Sequence, residues 1–267
     1  MITLSDYISE SILSSTRTGK VHLDEELRKY GLDPAKAVLN ADGTIDYNGD
    51  VLLSSKSLTK LPFKFRKVNG DFRCANNILT TLEGCPATVG GTFDCNTNIL
   101  TSLDGGPKHI GHSFYCNNNR LTTLDGVPEQ IKWSFDCSSN YLVNLKGGPK
   151  QVGGYLYCYN NKLTTLDGAP DKIEDEFYCA YNKLTDLKHC PQVIKGSFDC
   201  HNNYLTSLEG GPKQVGGNFN CSCNNLTSLK GISNKIKGWF ECKNNSCDFT
   251  VEDVLAVCKI NKNKIYL

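Results

Sequence analysis

The sequence has no long hydrophobic run: nowhere in its 267 residues do apolar side chains approach the roughly 20 in a row that a membrane-spanning helix needs. It also lacks an excess of charge of either sign. Twenty-nine Lys and Arg stand against 28 Asp and Glu, a net charge of +1. No global field would then draw the chain to nucleic acid or to an anionic membrane, and neither is expected as a partner. The opening residues, Met1-Ile2-Thr3-Leu4-Ser5-Asp6, carry no basic segment and no long apolar one, which argues against a classical secretory signal. The common catalytic and nucleotide motifs are missing. There is no G-x-x-x-x-G-K-[ST], no H-E-x-x-H, no G-x-S-x-G, and no C-x-x-C for a metal. Glycine pairs such as Gly90-Gly91 do not open a helix and so form no phosphate loop. No enzyme activity, no metal and no cofactor are expected.

Cysteine, by contrast, is abundant, with 14 residues. Nine of them fall 21 residues apart without a slip, from Cys74 through Cys158 to Cys242. A Phe, or Leu156 in one unit, stands two residues before each, and an Asn stands three after, from Asn77 to Asn245. Two leucines follow at fixed offsets, Leu79 and Leu82 in the first such unit. Seven units carry a proline, from Pro86 to Pro212, and a Val or Ile such as Val89 or Ile110 closes the turn. A degenerate unit precedes the ladder, with Val51, Leu53, Leu58, Leu61 and Val68 at the apolar positions and Lys56 in place of the asparagine.

At Phe-x-Cys-x-x-Asn-x-Leu this unit resembles the leucine-rich-repeat core, with Phe and Cys at two of the usual leucine positions. The resemblance covers about residues 49–249, about ten coils. It implies an α/β-type repeat solenoid with a parallel β-sheet on the concave face, a mostly irregular convex side and small helical caps. The physics agrees. Phe and Cys alternate with polar residues, so both face one side of a short strand. One coil cannot bury that side alone, whereas stacked coils share a core. The asparagine leaves the strand where it can bond backbone groups at the bend, and Gly and Pro turn the chain. Ten strands at ~4.8 Å make a sheet roughly 45 Å long.

Residues outside the repeats read as ends. Residues 21–48 form an N-terminal cap, with short helices expected over Asp24–Tyr30 and Pro34–Leu39 and a hairpin around Thr44–Tyr47. Residues 250–267 form a C-terminal cap, in which Thr250 and Asp253 match a capping box, a helix runs to about Cys258, and Ile265-Tyr266-Leu267 closes as a strand. Residues 1–20 stand apart: Thr3–Leu13 patterns as an amphipathic helix, and Ser14–Lys20 as a linker. The Met-x-Thr start and Tyr7-Ile8-Ser9-Glu10 resemble the head-targeting peptides of internal proteins in large tailed bacteriophages. That resemblance implies cleavage between Glu10 and Ser11. Leu205–Pro212 likewise resembles phage-encoded repeat proteins.

The cysteine ladder reads as small buried hydrophobes. Side chains of in-register parallel neighbours point the same way, which suits disulfides poorly. Cys221-Ser222-Cys223 comes nearest to a chelating pair, and its thiols are expected to face apart. Cys85 and Cys190 share one connector position five coils apart. Such usage implies a reducing compartment such as the cytoplasm of a bacterial host, and the resemblance to phage proteins implies packaging in a phage head.

Residues flanking Phe and Cys should line the concave face. Tyr115, Tyr155, Tyr157, Tyr159 and Tyr178 concentrate at its middle, with Asp94, Asp136, Glu176 and Asp199 around them. His201 is the one histidine expected on this face. Exposed tyrosines among carboxylates suit a protein partner with a basic or polar surface. Two other readings stay open, a structural or internal virion component and a carbohydrate-binding or adhesion module.

Overall fold

The computed structural model describes residues 17–267, with side chains from residue 21 onward. The helix expected over Thr3–Leu13 and the processing pair Glu10–Ser11 lie outside the described residues. Among the described residues no helix is long and apolar enough to cross a membrane.

The dominant element is an eleven-stranded parallel sheet running from Val51–Leu52, through the nine strands of the cysteine units, to Ile265–Tyr266. Strands are two residues long and pair in register, Phe93 beside Phe114 and Phe114 beside Phe135. The alternation in the sequence becomes two columns inside the coil. Phe rings stack along the core at 5.1–5.9 Å, Phe72–Phe93 at 5.9 Å and Phe93–Phe114 at 5.1 Å. The nine Cys side chains beside them are buried and free. Burial pushes thiols such as Cys116 and Cys137 well above their ordinary range, so they remain protonated. Several point their S–H at the next strand, as Cys137 does toward the Tyr157 carbonyl at 3.5 Å.

The asparagine column sews the coils together. Asn140 is typical. Its Nδ2 donates to the carbonyls of Cys116 in the preceding coil and Cys137 in its own, at 3.1 and 3.2 Å, and its Oδ1 accepts from Leu121 N at 2.9 Å. The same pattern recurs from Asn98 to Asn224. The residue just before each of these asparagines has left-handed φ near 50–55°, which tips the chain out of the strand; Asn fills that place most often, Tyr181 once.

The opposite side is more regular than the sequence suggests. Instead of mostly irregular chain it carries a second ladder at the Val/Ile positions, divided into a five-stranded sheet that starts from an antiparallel hairpin of the N-terminal cap and ends at His109–Ile110, and a six-stranded parallel one from Gln130–Ile131 to Lys235–Ile236. Glycine governs this ladder. A Cβ on Gly90, Gly111, Gly153 or Gly216 would lie 1.8–2.1 Å from a carbonyl oxygen of the coil before. These four glycines donate across the ladder at 2.8–3.0 Å. Larger residues at the same position vary: Asn69 and Lys237 keep the bond at 3.0 and 3.1 Å, Glu174 makes it at 3.3 Å, and none forms from Lys132 or Lys195. Lys132 stands where the two back sheets part.

The caps depart from expectation at two points. The first helix, α1, spans Arg17–Lys29, so Arg17–Lys20 belong to it and not to a linker. Leu23 and Leu27, four apart, bury its inner stripe. Pro34–Leu39 is not a helix. A single 3-10 turn, Pro34–Lys36, is capped by Asp33, and β1 (Ala37–Leu39) then pairs antiparallel with β2 (Ile45–Tyr47). Tyr47 ties this hairpin back by accepting Asp33 N at 2.9 Å. At the other end Thr250 and Asp253 form the capping box of α2 (Val251–Val257).

Replacing Asn140 with Ala leaves the buried Leu121 amide without its acceptor and removes one of two asparagine donors from the Cys116 and Cys137 carbonyls, which keep Asn119 and Asn161. We expect a loss of about 1–3 kcal/mol, the range for one buried group left unmade. Urea unfolding of Asn140→Ala checks this, and a loss below ~1 kcal/mol would contradict the role assigned to the column.

Candidate functional site

Alternation turns the residues flanking Phe and Cys outward on the eleven-stranded sheet, and the site residues named from sequence fall into two groups that meet where Tyr178 lies in register beside Asp199. The first is an aromatic cluster. Tyr155 stacks on Tyr157 at 4.1 Å and 20°, and Tyr157 stacks on Tyr178 of the next coil at 4.7 Å and 11°. Tyr159 leans on Tyr157 at 6.0 Å. Tyr155 donates its hydroxyl to the Tyr115 hydroxyl two coils back at 3.3 Å, and Tyr157 donates to Glu176 at 2.6 Å. The rings are half-buried against each other, so the expectation of freely exposed tyrosines is corrected: each offers an edge or one face. Burial is the first cause that raises all three stacked phenols, Tyr178 to about 12, with Glu176 adding to the rise at Tyr157 and Tyr178. These hydroxyls are donors at any physiological pH.

The coil that supplies three of these tyrosines is also the one with Leu156 in place of Phe. The buried Phe column is interrupted there, and the aromatic mass of that strand lies on its outer face.

The second group is Asp199 with His201. The carboxylate accepts the His201 backbone N–H at 3.0 Å and meets its Nδ1 at 2.6 Å. Tyr181 packs edge-on against the imidazole at 4.6 Å and 78°. Tyr181 was not named from sequence. Its signal is an aromatic residue, half exposed, at the left-handed position that Asn usually fills.

Asp136 belongs with the tyrosines. It lies in register between Tyr115 and Tyr157 and accepts the backbone N–H and hydroxyl of Ser138 at 2.9 and 2.6 Å. Asp94, Asp199 and Asn220 cap the amide two residues on in the same way. These side chains therefore brace the strand exit first and face solvent second. Burial raises the carboxyls of Asp94 and Asp136 above the ordinary range.

The ladder thiols are buried on the other side of the sheet, and Ser222, at the position of His201 one coil on, is buried with its hydroxyl accepting the Lys243 amide at 3.2 Å. Cys223 turns away from buried Cys221 because its own φ is 55°, and it sits half-exposed at the strand exit, where Asn244 Nδ2 donates to it. Among the described residues no three His, Cys, Asp or Glu gather as for a metal ion. The face offers stacked phenols, carboxylate oxygens and one ionisable imidazole, which is an arrangement for binding.

The hydrogen bond to Asp199 is the main cause that raises His201 above its ordinary 6.5. The imidazolium form is therefore favoured in the folded chain. The stability it adds is complete below pH 6.5 and fades as the pH rises through the raised value. His201→Gln should cost more stability at about pH 5.5 than at about pH 9. Equal losses at both, measured by urea unfolding, would mean the pair carries no charge.

No family model matches the sequence, and no curated protein matches it. Solved structures do. The leucine-rich-repeat protein YopM from Yersinia enterocolitica WA-314 superposes with a TM-score of 0.50 at 18% identity, over 76% of this chain and 49% of that one. This chain therefore spans about half of YopM, and at that identity the likeness concerns the fold alone. None of these findings bears on the phage resemblance. They and the 21-residue coil agree on a leucine-rich-repeat-type solenoid.

Proposed function

We propose that the chain is a non-catalytic binding scaffold and that its tyrosine face holds a protein partner with a basic or polar surface. The observation that carries this reading is the Tyr155–Tyr157–Tyr178 stack with Glu176 bonded to its central hydroxyl. Five tyrosines on neighbouring coils give a broad contact surface that is already ordered, so little entropy is lost on binding. Phenol faces attract a Lys or Arg side chain, and Asp136, Glu176 and Asp199 provide acceptors for its N–H groups. The solenoid fold supports the reading, because leucine-rich-repeat solenoids generally mediate protein interactions.

Affinity capture from a host lysate with wild type and the Tyr157→Ala/Tyr159→Ala variant tests it. The variant should lose the captured protein, with affinity down at least about tenfold if the pair behaves as an interface hot spot. A partner held equally well by a folded variant would move the binding surface elsewhere on the solenoid.

A further inference from the structure

The near-zero net charge conceals a segregation by face. Around the tyrosines the eleven-stranded sheet presents carboxylates, whereas the back ladder presents lysine. In its last two coils the back ladder reads Lys213-Gln214-Val215-Gly216 and Asn234-Lys235-Ile236-Lys237, and Lys259 bridges to Lys235 beyond them. No carboxylate stands at those ladder positions. The last one before them, Glu174, is held between Lys172 and Lys195. Among the described residues no ion pair engages Lys213, Lys235, Lys237 or Lys259. All four are exposed.

A second, independent observation concerns where these lysines stand. Lys132, Lys195 and Lys237 occupy the column at which glycine lets coils close; Lys132 and Lys195 make no ladder hydrogen bond there, and Lys237 keeps its bond to the Val215 carbonyl at 3.1 Å. Three of the four non-glycine residues over this stretch are lysine, the fourth being Glu174. A positive charge is thus kept where backbone pairing would favour no side chain at all. The consequence is shape as well as charge: a groove of about 420 Å³ lies over Val193, Gln214, Val215 and Gly216, bordered by Lys195, Lys235 and Lys237.

We infer that this back face is a docking surface for the phosphate backbone of duplex nucleic acid, read without base specificity. Lys195 and Lys237 stand two coils apart, about 10 Å at strand spacing, and the row continues to Lys259. Regularly spaced ammonium groups match a duplex, which carries one negative charge per ~1.7 Å of axis. A protein partner would need apolar or aromatic anchors, and among these ladder positions Val193 is the one large exposed hydrophobe. A single strand would need rings for its bases to stack on, and this stretch of the ladder carries none.

The test is fluorescence anisotropy of the whole chain with a labelled random-sequence DNA duplex, across a salt series starting near ~50 mM. Wild type should bind, and Lys195→Gln/Lys235→Gln/Lys237→Gln should bind at least about tenfold more weakly, with a salt slope shallower by about 0.9 for each phosphate that is no longer neutralised. Lys195→Gly/Lys237→Gly should also lose affinity while its circular dichroism is unchanged, because glycine suits the ladder; this separates charge from folding. Tyr157→Ala/Tyr159→Ala should bind the duplex like wild type. The inference is overturned if wild type does not bind, or if the triple variant binds equally well. It is overturned too if polyglutamate of matched charge displaces the duplex as effectively as unlabelled duplex, since the face would then suit an acidic protein.

Discussion

One asparagine side chain per coil holds this architecture together. Where the chain leaves each strand it turns through a left-handed residue, and the turn strands a backbone N–H and two carbonyls inside the stack. Asn is suited to that place. Its amide donates to carbonyls of two successive coils while its oxygen accepts from the leucine amide between them, as at Asn98 and Asn140. Aspartate could not donate, and leucine could do neither. Because each bond set joins a coil to the one before it, the coils stack in register, and the columns of Phe and Cys follow. The outer face follows as well: the same register sets Tyr157 beside Tyr178 and Asp136 beside Tyr157.

The back ladder shows what happens where no side chain enforces the stack. There no buried polar side chain like the asparagine repeats from coil to coil, and the closest approaches are made at glycine. Glycine lets the ladder close at Gly90, Gly111, Gly153 and Gly216, and the ladder divides into two sheets at the Lys132 coil. Core order therefore comes from the asparagine side of each coil, and the other side is free to vary. The two proposed binding surfaces use both kinds of freedom, half-buried rings on the ordered sheet and exposed lysines on the looser ladder.

The repeat was legible in the sequence because its signal is positional: a period of 21, an apolar pair on one side of a strand and an Asn at a constant offset. The outward placement of Tyr115, Tyr155, Tyr157 and Tyr178 followed from the same alternation. What was hidden depends on neighbours distant in sequence. A two-residue strand such as Gln151–Val152 has too little alternation to announce itself, so the back ladder read as irregular chain. Pro34–Leu39 has a sound helix start, yet Val38 and Leu39 find a partner strand in Ile45–Asp46, and the hairpin prevails. The carboxylates read as a binding rim because their acidity is visible in sequence, whereas the amide two residues on that Asp94, Asp136 and Asp199 cap is not.

Native-state hydrogen exchange measures the central interaction directly. The amides of Leu100, Leu121, Leu142 and Leu163, each donated to an asparagine oxygen of the next coil, should exchange only through global unfolding and rank among the slowest in the chain. The amides of Lys132 and Lys195, which lack a ladder bond, should exchange far sooner. Fast exchange at those leucines, on the scale of the lysines, would mean that the asparagine column does not hold the coils together.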